Sequence, residues 1–191
     1  LGEGLLFPAR GVLLPFLLAG PARRLLLGLL LAPGLFLGPL LLLWLTGGSA
    51  AAGASALNQF WERHSDGDMK RTKSRPLVDG TIADPRWVPF VGIMLIIIPT
   101  FVMLPFNPPL AFFLMLGAVI YVGIYTIWLK PRTLLNIVIG GAAGSAAVLS
   151  GSAAVGNWAD PGALVLALIL FLWTPFHFWS LALLYKDDYA R

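Results

Sequence analysis

The sequence contains no cysteine. A disulfide framework and a thiolate metal site are therefore both excluded. Charge is scarce as well. Asp, Glu, Lys and Arg make up 12% of the 191 residues, against about 25% in soluble globular domains. There is no Walker phosphate loop, no dinucleotide-binding glycine fingerprint in a βαβ setting and no HExxH zinc motif. The glycine cluster GGAAG at 140–144 lies inside an apolar run and is not read as a nucleotide loop. The N-terminal segment lacks the pattern of a cleavable signal peptide. The first residue is Leu1 rather than Met, and a piece of a longer protein is expected.

What the chain has is hydrocarbon, with 58% of its residues hydrophobic. Charge-free apolar runs of 18 or more residues are each long enough to cross a bilayer core, and they recur along the chain. The chain reads as all-α, a polytopic transmembrane helix bundle. Six spans are expected, over 11–32, 35–61, 87–104, 109–129, 133–155 and 162–184, each ending at charge or at Pro/Gly punctuation. The first is the poorest, because Pro21, Arg23 and Arg24 sit in its middle. An arginine at mid-bilayer costs about 2.5–3.5 kcal/mol on insertion scales. Residues 1–34 are set apart on that ground, and 35–191 are read as the bundle.

The net charge of +4 does not point to nucleic acid, because the bases sit in short loops between apolar runs. Arg63, Lys70, Arg71, Lys73, Arg75 and Arg86 follow the second span, Lys130 and Arg132 the fourth, and Lys186 and Arg191 the sixth. The connections around 106–108 and 156–160 hold no base. The positive-inside rule then puts the three basic connections on the cytoplasmic side, or the matrix side in an organelle. The fifth span is rich in Gly, Ala and Ser (NIVIGGAAGSAAVLSGSAAVG). Such residues let helices approach closely in lipid. The same surface would also serve as a smooth wall for a bulky flat ligand.

The polar residues concentrate at span ends. Asn58, Glu62 and Asp66 are spaced i, i+4, i+8, which stacks them on one helical face. One amide and two carboxylates are hard oxygen donors suited to Mg²⁺, which usually keeps several waters and bridges substrate phosphates. Arg71, Lys73 and Arg75 follow at once and would neutralise phosphate charge that a metal leaves. The plainer reading is a solvated helix end beside a basic loop. Asp187 and Asp188 follow the sixth span, on the same side as the first cluster by the charge argument. The two acidic sites together describe a place for two magnesium ions and a diphosphate; alone, the pair is a polar tail. His177 stands within WTPFHFWSLAL, two residues after Pro175. It is either a packing residue bonded to a carbonyl freed by the proline or a base facing the bundle interior. Its position seven residues before 184 places it about 10 Å deeper than Asp66 along the membrane normal.

N-x-x-x-D/E-x-x-x-D followed by M-x-R-T-x-x-R-P-L is carried here by Asn58, Glu62, Asp66, Met69, Arg71, Thr72, Arg75, Pro76 and Leu77. With YTIWLKPRT at 125–133, NIVIGGAAG at 136–144, LWTPFHFWSLAL at 172–183 and KDDYAR at 186–191, the chain resembles the UbiA-type intramembrane prenyltransferases, in their heme O synthase branch. The resemblance covers about 51–191. It departs at Ala147 and Val148, where the branch usually has Pro-Pro, and at His64, where an acidic residue is usual. The family has nine helices, so about six are present and the bundle is expected to be truncated at its C-terminus.

The resemblance implies transfer of a farnesyl group from farnesyl diphosphate to a vinyl group of protoheme IX, with Mg²⁺ as cofactor. It assigns Asn58, Glu62, Asp66, Asp187 and Asp188 to the metal, and His177 with Asp187 and Asp188 to catalysis, His177 also serving as a ligand to heme iron in one reading. Arg71, Lys73, Arg75, Tyr125, Lys130, Arg132 and Asn136 fall to substrate binding. The partners implied are the two substrates, the lipid bilayer, and a heme A synthase or a second copy, with no nucleic acid. The membrane implied is a bacterial or archaeal cell membrane, or the mitochondrial inner membrane. The rival expectations are a prenyltransferase acting on an aromatic quinone precursor or a chlorophyllide, and a non-catalytic transport or assembly subunit.

Overall fold

The computed structural model describes residues 21–186, with side chains from 37 onward. The first expected span therefore lies outside the described side chains, and Asp187 and Asp188 lie outside the described residues. The chain divides into two compact units, Leu1–Leu40 and Leu41–Arg191.

The elements are α1 (Pro21–Asp66), α2 (Trp87–Met103), α3 (Pro108–Ala118), a π-helical segment (Val119–Leu129) continuing α3, α4 (Asn136–Ala154) and α5 (Pro161–Leu184). No strand occurs among the described residues. Leu37–Asp66, Pro108–Leu129, Asn136–Ala154 and Pro161–Leu184 are long and apolar enough to cross a membrane, and α2 is a shorter apolar helix of 17 residues. The architecture is a polytopic helical bundle.

The helix starts follow from local chemistry. Asn107 precedes Pro108 and Pro109, and its side-chain oxygen accepts from the amide of Leu110 at 3.1 Å. Asp160 precedes Pro161 and accepts from Ala163 at 3.0 Å. Each caps a backbone donor that the first helical turn leaves unpaired, with proline at the position that needs none. Asn107 also donates to the Ala153 carbonyl at 2.8 Å, which ties the start of α3 to the end of α4.

α1 runs past the expected end of the second span at 61 and reaches Asp66, so the one helical face expected to carry Asn58, Glu62 and Asp66 is formed. In the last turns of α1 Glu62 and Asp66 are buried and paired, while His64 and Ser65 are exposed. The Thr72 hydroxyl then closes the helix end by donating to the Asp66 carbonyl at 2.8 Å. The fourth span reads as one apolar helix, yet it changes from α to π geometry at Val119. The hydroxyls of Thr46, Thr100, Ser150 and Thr174 each reach the carbonyl four residues back. The Thr126 hydroxyl reaches the one five back, on Tyr121, at 2.8 Å.

Helices in lipid gain little from water exclusion and associate by close packing. The packing here is close. Leu110, Ala111, Phe113 and Leu114 of α3 are buried with Ala50, Met103 and Ala153. A Cβ on Gly53 would stand 2.4 Å from the Gly92 carbonyl oxygen, so α1 and α2 touch backbone to backbone. A Cβ on Gly141 would come within 3.2 Å of Thr174 Cβ, so the small residues of α4 form its seat on α5. Large apolar side chains face outward, among them Trp44, Phe176 and Leu183, as lipid contact requires.

Candidate functional site

Asn58, Glu62 and Asp66 occupy three successive turns at the end of α1, and all three are buried. Each meets a partner from elsewhere in the chain. The turn after α1 is held by Thr72 N–H to Met69 C=O at 3.1 Å and Arg75 N–H to Thr72 C=O at 3.0 Å. It folds back so that the Arg75 guanidinium pairs with the Asp66 carboxylate. Lys130, just past the π-helical segment, pairs its Nζ with Glu62 Oε1. The Asn58 amide donates to Thr126 Oγ1 at 3.0 Å. Two carboxylates near a membrane boundary would be costly alone; each is offset by a base.

These groups border a cavity of about 510 Å³. One wall is polar, with Asn58, Glu62 and Asp66, Ser65 and Met69 beside them, and Arg71, Arg75 and Lys130 around them. A second wall is aromatic. Tyr121 and Tyr125 stack with centroids 5.9 Å apart and planes 10° from parallel, and the Lys130 ammonium lies 5.9 Å from the Tyr125 centroid. The third wall is α4, where Ile137, Gly140, Ala143 and Gly144 face the space, with Phe178 of α5 beside them. A Cβ on Gly140 would stand 2.6 Å from Cδ2 of Tyr125, so the ring rests directly on the α4 backbone. The small residues of α4 thus serve both readings, since one side packs on α5 and another lines the cavity.

Of the residues singled out from sequence, the structure gathers Asn58, Glu62, Asp66, Arg71, Arg75, Tyr125 and Lys130 around one space. Lys73 and Arg132 are exposed and do not line it. Arg132 instead donates to the Trp128 carbonyl at 2.6 Å, closing the end of the π-helical segment. Asn136 is buried at the first turn of α4 and reaches the Lys130 carbonyl at 3.5 Å, so it braces the turn that carries Lys130. His177 does not line the cavity. Its ring stacks on Trp173 at 4.3 Å and 15° and meets Phe178 edge-on. Its neighbour Phe178 lines the space. The distance expected between the two acidic motifs involves Asp187 and Asp188, outside the described residues.

Sequence reasoning passed over Ser65, Tyr121, Thr126 and Phe178. Tyr121 carried a usable signal, four residues before Tyr125. Thr126 carried none, because its place depends on the π geometry.

The donor set can be tested against Mg²⁺. Among the described residues, no three His, Asp or Glu side chains converge into a metal cage. Two carboxylates and an amide in a line suit an ion that takes its remaining ligands from water and phosphate, so the residues present fit a metal–diphosphate. In the loop beyond, Asp79 is held below the ordinary carboxylate range by the Thr81 hydroxyl and amide, and Asp84 by the Arg86 side chain. These loop acids are satisfied locally and stand apart from the cavity.

The model of the UbiA prenyltransferase family matches residues 24–191. Protoheme IX farnesyltransferase of Metallosphaera sedula is 47% identical over 148 residues, covering 77% of this chain and 52% of that protein. The protein of the same name from Sulfolobus acidocaldarius is 48% identical over 148 residues, with the same coverage of 77% and 52%. Protoheme IX farnesyltransferase 2 of Paramagnetospirillum magneticum is 47% identical over 144 residues, covering 74% and 49%. The chain spans about half the length of these curated relatives. No solved structure matches it.

Proposed function

Because the chain belongs to the UbiA prenyltransferase family, we propose that it transfers the farnesyl group of farnesyl diphosphate to a vinyl group of protoheme IX, giving heme O. One observation carries the reading. Two buried carboxylates, each paired with a base from a different segment, share a cavity with a smooth wall of small residues. That combination suits a substrate with a diphosphate head and a long apolar tail.

In this reading Asn58, Glu62 and Asp66 would hold Mg²⁺ beside the diphosphate. The ion, when bound, draws negative charge off the departing group. Arg71, Arg75 and Lys130 bind the diphosphate and take up the charge that builds on it as the carbon–oxygen bond breaks. Arg75 and Lys130 then exchange carboxylate partners for phosphate partners within the same space. Tyr121, Tyr125 and Phe178 hold the prenyl chain and keep water from the allylic carbon. The vinyl carbon bonds to that carbon, pyrophosphate leaves with the electron pair, and a water oxygen adds to the remaining vinyl position with loss of a proton. His177 belongs to the heme side, oriented through Trp173 and Phe178. Asp187 and Asp188 complete the metal site, and the basic connections face the cytoplasm or matrix.

Pigment extracts decide the matter. Cells without their own heme O synthesis, expressing the complete open reading frame, should accumulate heme O that depends on magnesium and farnesyl diphosphate in isolated membranes. Unchanged protoheme IX, with prenylation of a quinone precursor instead, would replace the acceptor.

A further inference from the structure

We infer that Thr126 is a positioning residue, whose hydroxyl decides which end of the Asn58 amide faces the cavity. The inference rests on reading Asn58 as an oxygen donor to a cation held with diphosphate. A threonine hydroxyl has one proton. Thr126 Oγ1 lies 2.8 Å from the Tyr121 carbonyl oxygen, which only accepts, so the proton is committed there. The oxygen then has only lone pairs to offer Asn58, 3.0 Å away. The group facing Thr126 must be the NH₂ of Asn58, and its Oδ1 is thereby turned away from Thr126. The single hydroxyl proton fixes this orientation of the amide.

The π-helical register makes the arrangement. In an α-helix the hydroxyl reaches the carbonyl four residues back, as Thr46, Thr100 and Thr174 do here. Thr126 reaches five back, within the π-helical segment Val119–Leu129, and it is 2% exposed. Its lone pairs are thus offered to α1 in a place water does not reach. Without the hydroxyl, the Asn58 amide loses the acceptor that holds it, and either end can face the cavity. An NH₂ facing a cation repels it.

The test is magnesium-dependent binding of inorganic pyrophosphate to the full-length protein in detergent, followed by titration calorimetry. T126V should weaken the apparent magnesium affinity about 10-fold or more, the scale set by partners that orient a metal ligand. T126S should bind as the unsubstituted protein does. In an N58A background no amide remains to be oriented. There T126V should change affinity by less than about twofold, the scatter of independent sites. Equal losses from T126V in both backgrounds, or a T126S variant as weak as T126V, overturn the positioning role and leave only packing. If T126V does not fold, Thr126→Ala removes the hydroxyl without adding bulk and is judged by the same outcomes. An unsubstituted protein that binds no pyrophosphate with magnesium overturns the diphosphate reading as well. Magnesium-dependent binding that T126V leaves unchanged overturns the Thr126 role alone.

Discussion

Glu62 and Lys130, separated by 68 residues in sequence, meet as an ion pair beside the cavity, with the Glu62 side chain 9% exposed and the Lys130 side chain 42% exposed. The pair joins the end of α1 to the turn after the π-helical segment. Lys130→Gln should strand a buried carboxylate, at a cost of about 1–3 kcal/mol, and should lower affinity for the diphosphate. Thermal unfolding in detergent reads the first effect and pyrophosphate titration the second. A variant as stable as the parent would show that Glu62 finds water when Lys130 is gone.

Glu62→Ala or Asp66→Ala in the full-length protein should remove magnesium-dependent heme O formation. The loss should exceed the roughly 10–100-fold typical of an outer-sphere partner. Both variants should still appear in the membrane fraction. Parent-like turnover in either would sink the ligand assignment.

Gly53→Ala should destabilise the bundle, because its Cβ would meet the Gly92 carbonyl oxygen at 2.4 Å and backbone cannot swing aside. Overpacking of this kind costs about 1–3 kcal/mol. An unchanged melting temperature would mean that α1 and α2 are not in backbone contact.

Gly140→Ala acts on the substrate rather than the fold. The obstacle is the Tyr125 side chain, which lines the cavity, rather than backbone. The expected result is a KM for farnesyl diphosphate raised by roughly tenfold, about 1.4 kcal/mol of lost binding, with little change in melting temperature. The opposite pattern would make Tyr125 a packing residue alone.

His177→Ala and His177→Phe separate two roles for that ring. Phe preserves the stack on Trp173 and removes the nitrogens. If His177 orients the heme or moves a proton, both variants lose heme O formation with heme and farnesyl diphosphate supplied. If both retain it, His177 is part of the aromatic stack and nothing more.

The helical class and most span limits were readable from the chain, because apolar runs and Pro-capped starts such as Asn107–Pro108 and Asp160–Pro161 are local signals. The ladder of Asn58, Glu62 and Asp66 was readable for the same reason, since fixed spacing on one helix is geometry in advance. What meets the ladder was not so readable. Arg75 is separated from Asp66 by a turn whose path depends on Thr72 and Met69. Lys130 and Arg132 look alike in sequence, yet one pairs with Glu62 and the other closes the π-helical segment. That segment has no mark in its composition, and Thr126 and Tyr121 owe their roles to it.

The contact between Gly53 and Gly92 has a consequence beyond stability, because it sets the screw phase of a rod. Each residue of an α-helix turns it by 100° and advances it 1.5 Å. Asn58, Glu62 and Asp66 begin five residues past the point where the backbones of α1 and α2 touch, and they share whatever rotation that point imposes. A single codon gained or lost between 54 and 57 would leave a good helix of unchanged character. It would also swing all three donors together by more than a quarter turn, away from Arg75, Lys130 and Thr126. The three side chains are therefore carried into register or out of it as one unit, and the stretch is closed to change in length.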